Sequence, residues 1–118
     1  MPALFSSLKL PMSATDFSSL NLSAEQLTVL DSLGYKQMTA VQAQSLPLIL
    51  QGKDLIAQAK TGSGKTAAFG IGLLQTIQPD FFAVQALIIC PTRELADQVG
   101  KELRRLGRGI PNLKLVML

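Results

Sequence analysis

The run Ala59-Lys60-Thr61-Gly62-Ser63-Gly64-Lys65-Thr66 constrains the fold more than any other stretch of this chain. Gly62 and Gly64 carry no Cβ, so the backbone there can take positive φ and turn its N–H groups onto one anion. Before the turn, Leu55-Ile56-Ala57 reads as a buried strand; after it, Ala67, Ala68, Phe69, Ile71, Leu73 and Leu74 read as a helix. Strand, glycine turn and helix together make a cradle for a polyphosphate, because a helix N-terminus offers free donors and a partial positive charge. In such a cradle Lys65 sets an ammonium on the β and γ phosphates, and Thr66 offers a hydroxyl to Mg²⁺. The usual pattern has a glycine four residues before the Gly-Lys pair; Ala59 stands at or beside that place, followed by Lys60 and Thr61. A glycine turn that binds nothing is the alternative, and the strand and helix around it weigh against that.

The 118 residues make at most one domain, and 47% hydrophobic against 16% charged is too apolar for disorder. No apolar run approaches the ~20 residues of a membrane span. A single Cys90 excludes an internal disulfide framework, and the absence of His removes Cys/His zinc sites and His-based triads. Cys90 ends the apolar run Ala86-Leu87-Ile88-Ile89 and reads as a buried strand thiol. The net charge of +3 permits an anionic partner, and six of the eleven cations lie from Arg93 onward. The first residues lack a basic stretch leading into a sustained apolar core, so no secretory signal is read and the expected location is cytoplasmic. Residues 1–15 are expected to be a flexible extension, with Met12 as a plausible alternative start.

Helical punctuation is dense. Ser23 with Gln26 is a capping-box pattern ahead of Leu27, Leu30 and Leu33, which predicts a helix over 24–33 closed by Gly34. Thr39 with Gln42 repeats the pattern ahead of a second helix, kinked at Pro47 and ended by Gly52. A third helix runs from Lys65 to about Ile77. A fourth spans about Arg93 to Leu106, with Leu95, Val99, Leu103 and Leu106 as its stripe and Gly107 as its stop. Residues 85–90 and 113–118 read as the second and third strands. Strands alternating with helices predict an α/β domain with a parallel sheet and right-handed crossovers.

Two further segments sharpen this. Phe17 through Leu22, leading to Gly34-Tyr35 and Thr39-Ala40-Val41-Gln42, resembles the Q motif of DEAD-box RNA helicases, and Pro91-Thr92-Arg93-Glu94-Leu95-Ala96-Asp97-Gln98 resembles their motif Ia. With residues 59–66 as motif I, the three stand in the family's order. Within that family the likeness is greatest to bacterial members that act in ribosome assembly. The resemblance implies that residues 16–118 are the N-terminal portion of a RecA-like P-loop domain, with three parallel strands in a truncated sheet. It implies ATP and Mg²⁺ as ligands and RNA as partner. The ATP-binding residues it implies are Phe17, Tyr35, Lys36, Gln42, Ala59, Lys60, Thr61, Gly62, Ser63, Gly64, Lys65 and Thr66, with Lys65 as phosphate stabiliser and Thr66 on the metal. Pro91, Thr92 and Arg93 would bind RNA.

Side-chain chemistry agrees with these roles. An amide such as Gln42 can donate and accept at once, which suits adenine and excludes guanine, although the Thr39–Gln42 capping box explains Gln42 without a ligand. Phe17 would stack on the base, a contact worth about 1–3 kcal/mol, or else serve as a core residue. Arg93 at a helix start can bind a phosphate bidentately; taken alone, Thr92-Arg93 is a cap and a solvated cation. Lys101, Arg104, Arg105 and Arg108 read as the wet face of their helix. Met38 and Ala40 stand where the Q motif usually has prolines. No Asp-Glu-Ala-Asp box occurs before Leu118, and none of Asp80, Glu94, Asp97 or Glu102 ends a strand, so turnover by this piece alone is not expected. Uncovered strand edges make self-association the expectation, through residues around 113–118. A non-catalytic interaction or RNA-binding fragment explains the chain less fully, and a P-loop kinase or metabolic ATPase gives no account of Phe17, Gln42 or motif Ia.

Overall fold

All but one of the helices begin where a side-chain oxygen takes a free amide. In the computed structural model, which describes residues 16–59, 62 and 64–118, a 3-10 turn at Phe17–Ser19 is capped by Asp16, whose carboxylate accepts from Ser18 N at 3.0 Å. That bond holds the Asp16 carboxyl below its ordinary range. Four helices follow: α1 (Ala24–Ser32), α2 (Ala40–Leu50), α3 (Lys65–Thr76) and α4 (Arg93–Leu106). Ser23, Thr39 and Thr92 cap α1, α2 and α4, each accepting from a backbone amide three residues on. Gly64 opens α3 with no side-chain cap.

Two of the capping expectations diverge. At α2 the box is complete, with Gln42 Oε1 accepting from Thr39 N at 2.9 Å. At α1 only the Ser23 half forms, because Gln26 is buried and its Nε2 donates to Leu106 O at 3.1 Å, satisfying a terminal carbonyl of α4. The sequence pattern cannot see a partner 80 residues away. α2 continues through Pro47 to Leu50, and Gln51 caps it before Gly52.

The core lies among these helices. Leu30, Leu46, Ile71 and Leu106, one from each, are fully buried, joined by Phe17, Met38, Ala43, Ala67 and Leu74. α3 is central, packing on α2 and α4, while α1 packs on α4. Where α2 and α3 meet, a Cβ on Gly72 would run into Ile49 Cγ2, so glycine sets how closely the two backbones approach.

The expected three-stranded parallel sheet is not formed among the described residues: 55–59, 85–90 and 113–118 carry no strand ladder. The alternation of strands is nonetheless present in 86–90. Ala86, Ile88 and Cys90 are half-buried, while Leu87 and Ile89 are 75% and 84% exposed. One face is partly covered and the other is open. A parallel strand needs neighbours for its backbone and cover on both faces, so apolar content and period by themselves do not close a ladder. Residues 1–15, expected to be a flexible extension, lie outside the described residues.

Candidate functional site: a glycine turn held by a buried glutamine

The glycines of the turn take the conformation expected of them. Gly62 and Gly64 have φ of +82° and +92°, a region costly for other residues. Gly64 is required twice over: a Cβ there would run into Gln42 Nε2 and stand 3.1 Å from Thr39 Oγ1. The gap is used by a hydrogen bond, Gln42 Nε2 donating to Gly64 O at 3.2 Å. Thus the first turn of α2 fastens the residue that opens α3.

Gln42 is only 1% exposed, and both ends of its amide are occupied, the oxygen by Thr39 N and the nitrogen by Gly64 O. An amide nitrogen has two hydrogens and the oxygen two lone pairs, so capacity for one further bond at each end remains. The capping explanation of Gln42 is therefore realised, together with a bond to the phosphate turn that spacing did not reveal. Thr39, which carries no site role in the sequence reading, lies beside Gly64 as well. Its signal was the same capping pattern.

Lys65 is exposed at the start of α3, Thr66 and Ala59 are half-buried, and the first amides of α3 face no capping side chain. Exposed ammonium, free helix donors and two left-handed glycines form an anion cradle. Lys60, Thr61 and Ser63, three of the expected contacts, lie outside the described residues. No group of three or more His, Cys, Asp or Glu gathers as a metal site among the described residues. The Thr66 hydroxyl, half-buried in the first turn of α3, is the described side-chain oxygen that could meet a metal arriving with phosphates. A groove of about 690 Å³ runs beside the cradle, between Thr39–Val41 and Leu55–Ala59, without reaching Lys65 or Thr66.

The aromatic residues are placed differently from the polar ones. Phe17 is only 3% exposed and sits in the core, its ring edge-on to Tyr35 with centroids 6.2 Å apart and planes at 88°. Of its two expected roles the core one is realised here, and no ring face lies open to a base. The Tyr35 phenol donates to Glu102 Oε2 on α4, and Glu102 Oε1 accepts from Arg105 Nη1 at 2.9 Å. Burial, then the Glu102 carboxylate, push the Tyr35 hydroxyl up to about 12, with Arg105 opposing. Lys36, expected among the nucleotide contacts, pairs instead with Asp31 at 3.0 Å, both well exposed. Glu102 had no signal in the sequence, because its partner is 67 residues away.

At the other expected surface, Pro91, Thr92 and Arg93 are exposed together at the head of α4. Thr92 Oγ1 accepts from Leu95 N at 3.1 Å, and Arg93 makes no ion pair among the described residues. Lys101 pairs with Asp97 at 3.5 Å and Arg105 with Glu102, and both cations are exposed.

Residues 39–118 match the profile of the DEAD/DEAH box helicase family. The chain is 64% identical over 105 residues to ATP-dependent RNA helicase DbpA of Escherichia coli (strain K12), covering 88% of this chain and 23% of that protein. It is 48% identical over 92 residues to DEAD-box ATP-dependent RNA helicase CshA of Bacillus subtilis (strain 168), covering 78% of this chain and 19% of CshA. Among solved structures, it is similar to a DEAD box protein from Methanococcus jannaschii (TM-score 0.75, 39% identity, 79% of this chain and 26% of that one). It is also similar to S. cerevisiae Dbp5 bound to RNA and ADP BeF3 (TM-score 0.77, 33% identity, 81% of this chain and 25% of that one). The chain thus spans about a quarter or less of the length of each.

Proposed function

Because the chain belongs to the DEAD/DEAH box helicase family, we propose that its 118 residues form the ATP-binding part of an RNA helicase. The observation that carries this reading is the bond from buried Gln42 to Gly64 O, which couples the expected adenine-side residue to the left-handed opening of α3. The phosphates occupy the cradle of Gly62, Gly64 and the first amides of α3, with Lys65 neutralising their charge. Thr66 would offer its hydroxyl to a Mg²⁺ held by the nucleotide, which would neutralise phosphate charge there. Thr92 and Arg93 meet the RNA backbone, which positions the strand without reading its sequence.

ATP-driven separation of RNA strands, and a role in ribosome assembly, belong in this reading to the longer protein in the cytoplasm. The 118-residue chain binds nucleotide without turnover, since its sequence holds no Asp-Glu-Ala-Asp box to position an attacking water. Residues 55–59, 85–90 and 113–118 pair as parallel strands in that protein. In the isolated chain their uncovered faces drive self-association.

Calorimetric titration with ATP and Mg²⁺ tests the central claim. Wild type binds and Lys65→Ala loses most of the affinity while keeping its circular dichroism spectrum; absence of binding by wild type would refute it. Burial of Phe17 and the occupied amide of Gln42 favour one second reading, a fragment that binds RNA or another protein without nucleotide. Under that reading a uridine oligonucleotide binds equally well with and without ATP.

A further inference from the structure

Tyr35 joins three parts of the molecule. Its ring packs edge-on against Phe17, it lies against the core beside α2 and α3, and its hydroxyl reaches Glu102 in the second half of α4. Glu102 is itself fixed: its other oxygen holds Arg105, and its side chain is only 19% exposed. A half-buried tyrosine hydroxyl needs a partner, and a carboxylate is a strong one. The ring cannot turn about its bond to the backbone without breaking that link. Phe17, buried against it, cannot shift without displacing it.

The phosphate side of the site is built otherwise. Gly64 is held by Gln42 at the first turn of α2, and Thr39 lies beside it. The two ends of a bound nucleotide would therefore depend on different supports.

Resting on the nucleotide reading above, we propose that Glu102 is a positioning residue for base recognition: from α4 it fixes the half-buried Tyr35 ring, itself an expected nucleotide contact, against the buried Phe17. It touches neither base nor phosphate. The prediction that separates this from a general structural role is a split between ligands. Glu102→Ala weakens ATP about tenfold, the worth of one hydrogen bond to a charged group, and leaves inorganic tripolyphosphate binding unchanged. Glu102→Gln recovers most of the ATP affinity, because the amide oxygen still accepts from the phenol.

A second readout needs no ligand. The chain has one Tyr and no Trp, so its tyrosinate absorbance reports Tyr35 alone. Burial and the Glu102 carboxylate push the wild-type hydroxyl up to about 12; in Glu102→Ala it should titrate at a lower pH, since the carboxylate that disfavours the phenolate is gone. Equal weakening of ATP and tripolyphosphate would overturn the proposal, as would ATP affinity unmoved by Glu102→Ala, or a tyrosine titration that the substitution leaves in place. Wild type that binds tripolyphosphate but gains nothing from the adenosine would also overturn it, while leaving the phosphate cradle standing. Wild type that binds neither ligand would overturn the nucleotide reading and this one with it.

Discussion

The α2–α3 pair and the run at 84–90 are both rich in apolar residues, yet one is closely packed and the other largely exposed. Leu46 and Ile71 on the helices are 0% exposed, whereas Val84 is 90% exposed and Ile89 84%. Hydrophobicity therefore does not distinguish them. A helix satisfies its own backbone from residues four apart, so its apolar stripe can be buried by one neighbour. An extended run has to borrow hydrogen bonds from a neighbour on each side before its faces can be covered. The difference lies in who supplies the partner.

The largest test of this contrast is Leu46→Ala, which should cost about 2–5 kcal/mol in urea unfolding, as expected for a buried leucine whose cavity does not collapse. Gly64→Ala comes next. The left-handed conformation alone costs about 1–2 kcal/mol, and the new methyl displaces the Gln42 amide. Both stability and tripolyphosphate affinity should fall; retention of that affinity would separate the turn from the cradle.

A smaller effect lies in alkali. The Tyr35 hydroxyl is raised from its ordinary 10.0 to about 12 in the folded chain, so the folded state keeps a proton that the unfolded state releases. Its contribution is fully present below the ordinary value and is lost as pH rises through that window. Unfolding followed across it should show falling stability, and Tyr35→Phe should flatten the slope.

The smallest change in stability falls on the exposed run. Ile89→Ser should alter unfolding by no more than about 0.5 kcal/mol, yet lower the mass measured by light scattering if these faces associate. A loss of stability comparable to that of Leu46→Ala would mean that residues 84–90 are packed after all, and would erase the contrast.

The helices were legible because their signals are local. Thr39 and Thr92 cap the helices they were expected to cap, and Gly64 stands left-handed where a glycine was demanded. α1 stopped at Ser32, one residue short of the expected end, with Leu33 taking the cap. The Ser23–Gln26 box failed in half because a carbonyl on α4 offered Gln26 a buried bond in place of a solvent-facing one. Lys36 pairs with Asp31, five residues away, in an exposed surface contact. The strands form no ladder among the described residues, since a period of two records which faces a chain could bury without recording whether a partner is there.

What the sequence determined by itself was the set of helices and the glycine turn, because capping oxygens, helical spacing and positive φ act within a few residues. The tertiary structure alone decided that Gln42 would hold Gly64, that Tyr35 would reach Glu102 and that Phe17 would be buried against it. Such contacts form between groups far apart along the chain, and only the packing of one helix on another brings them within bonding distance.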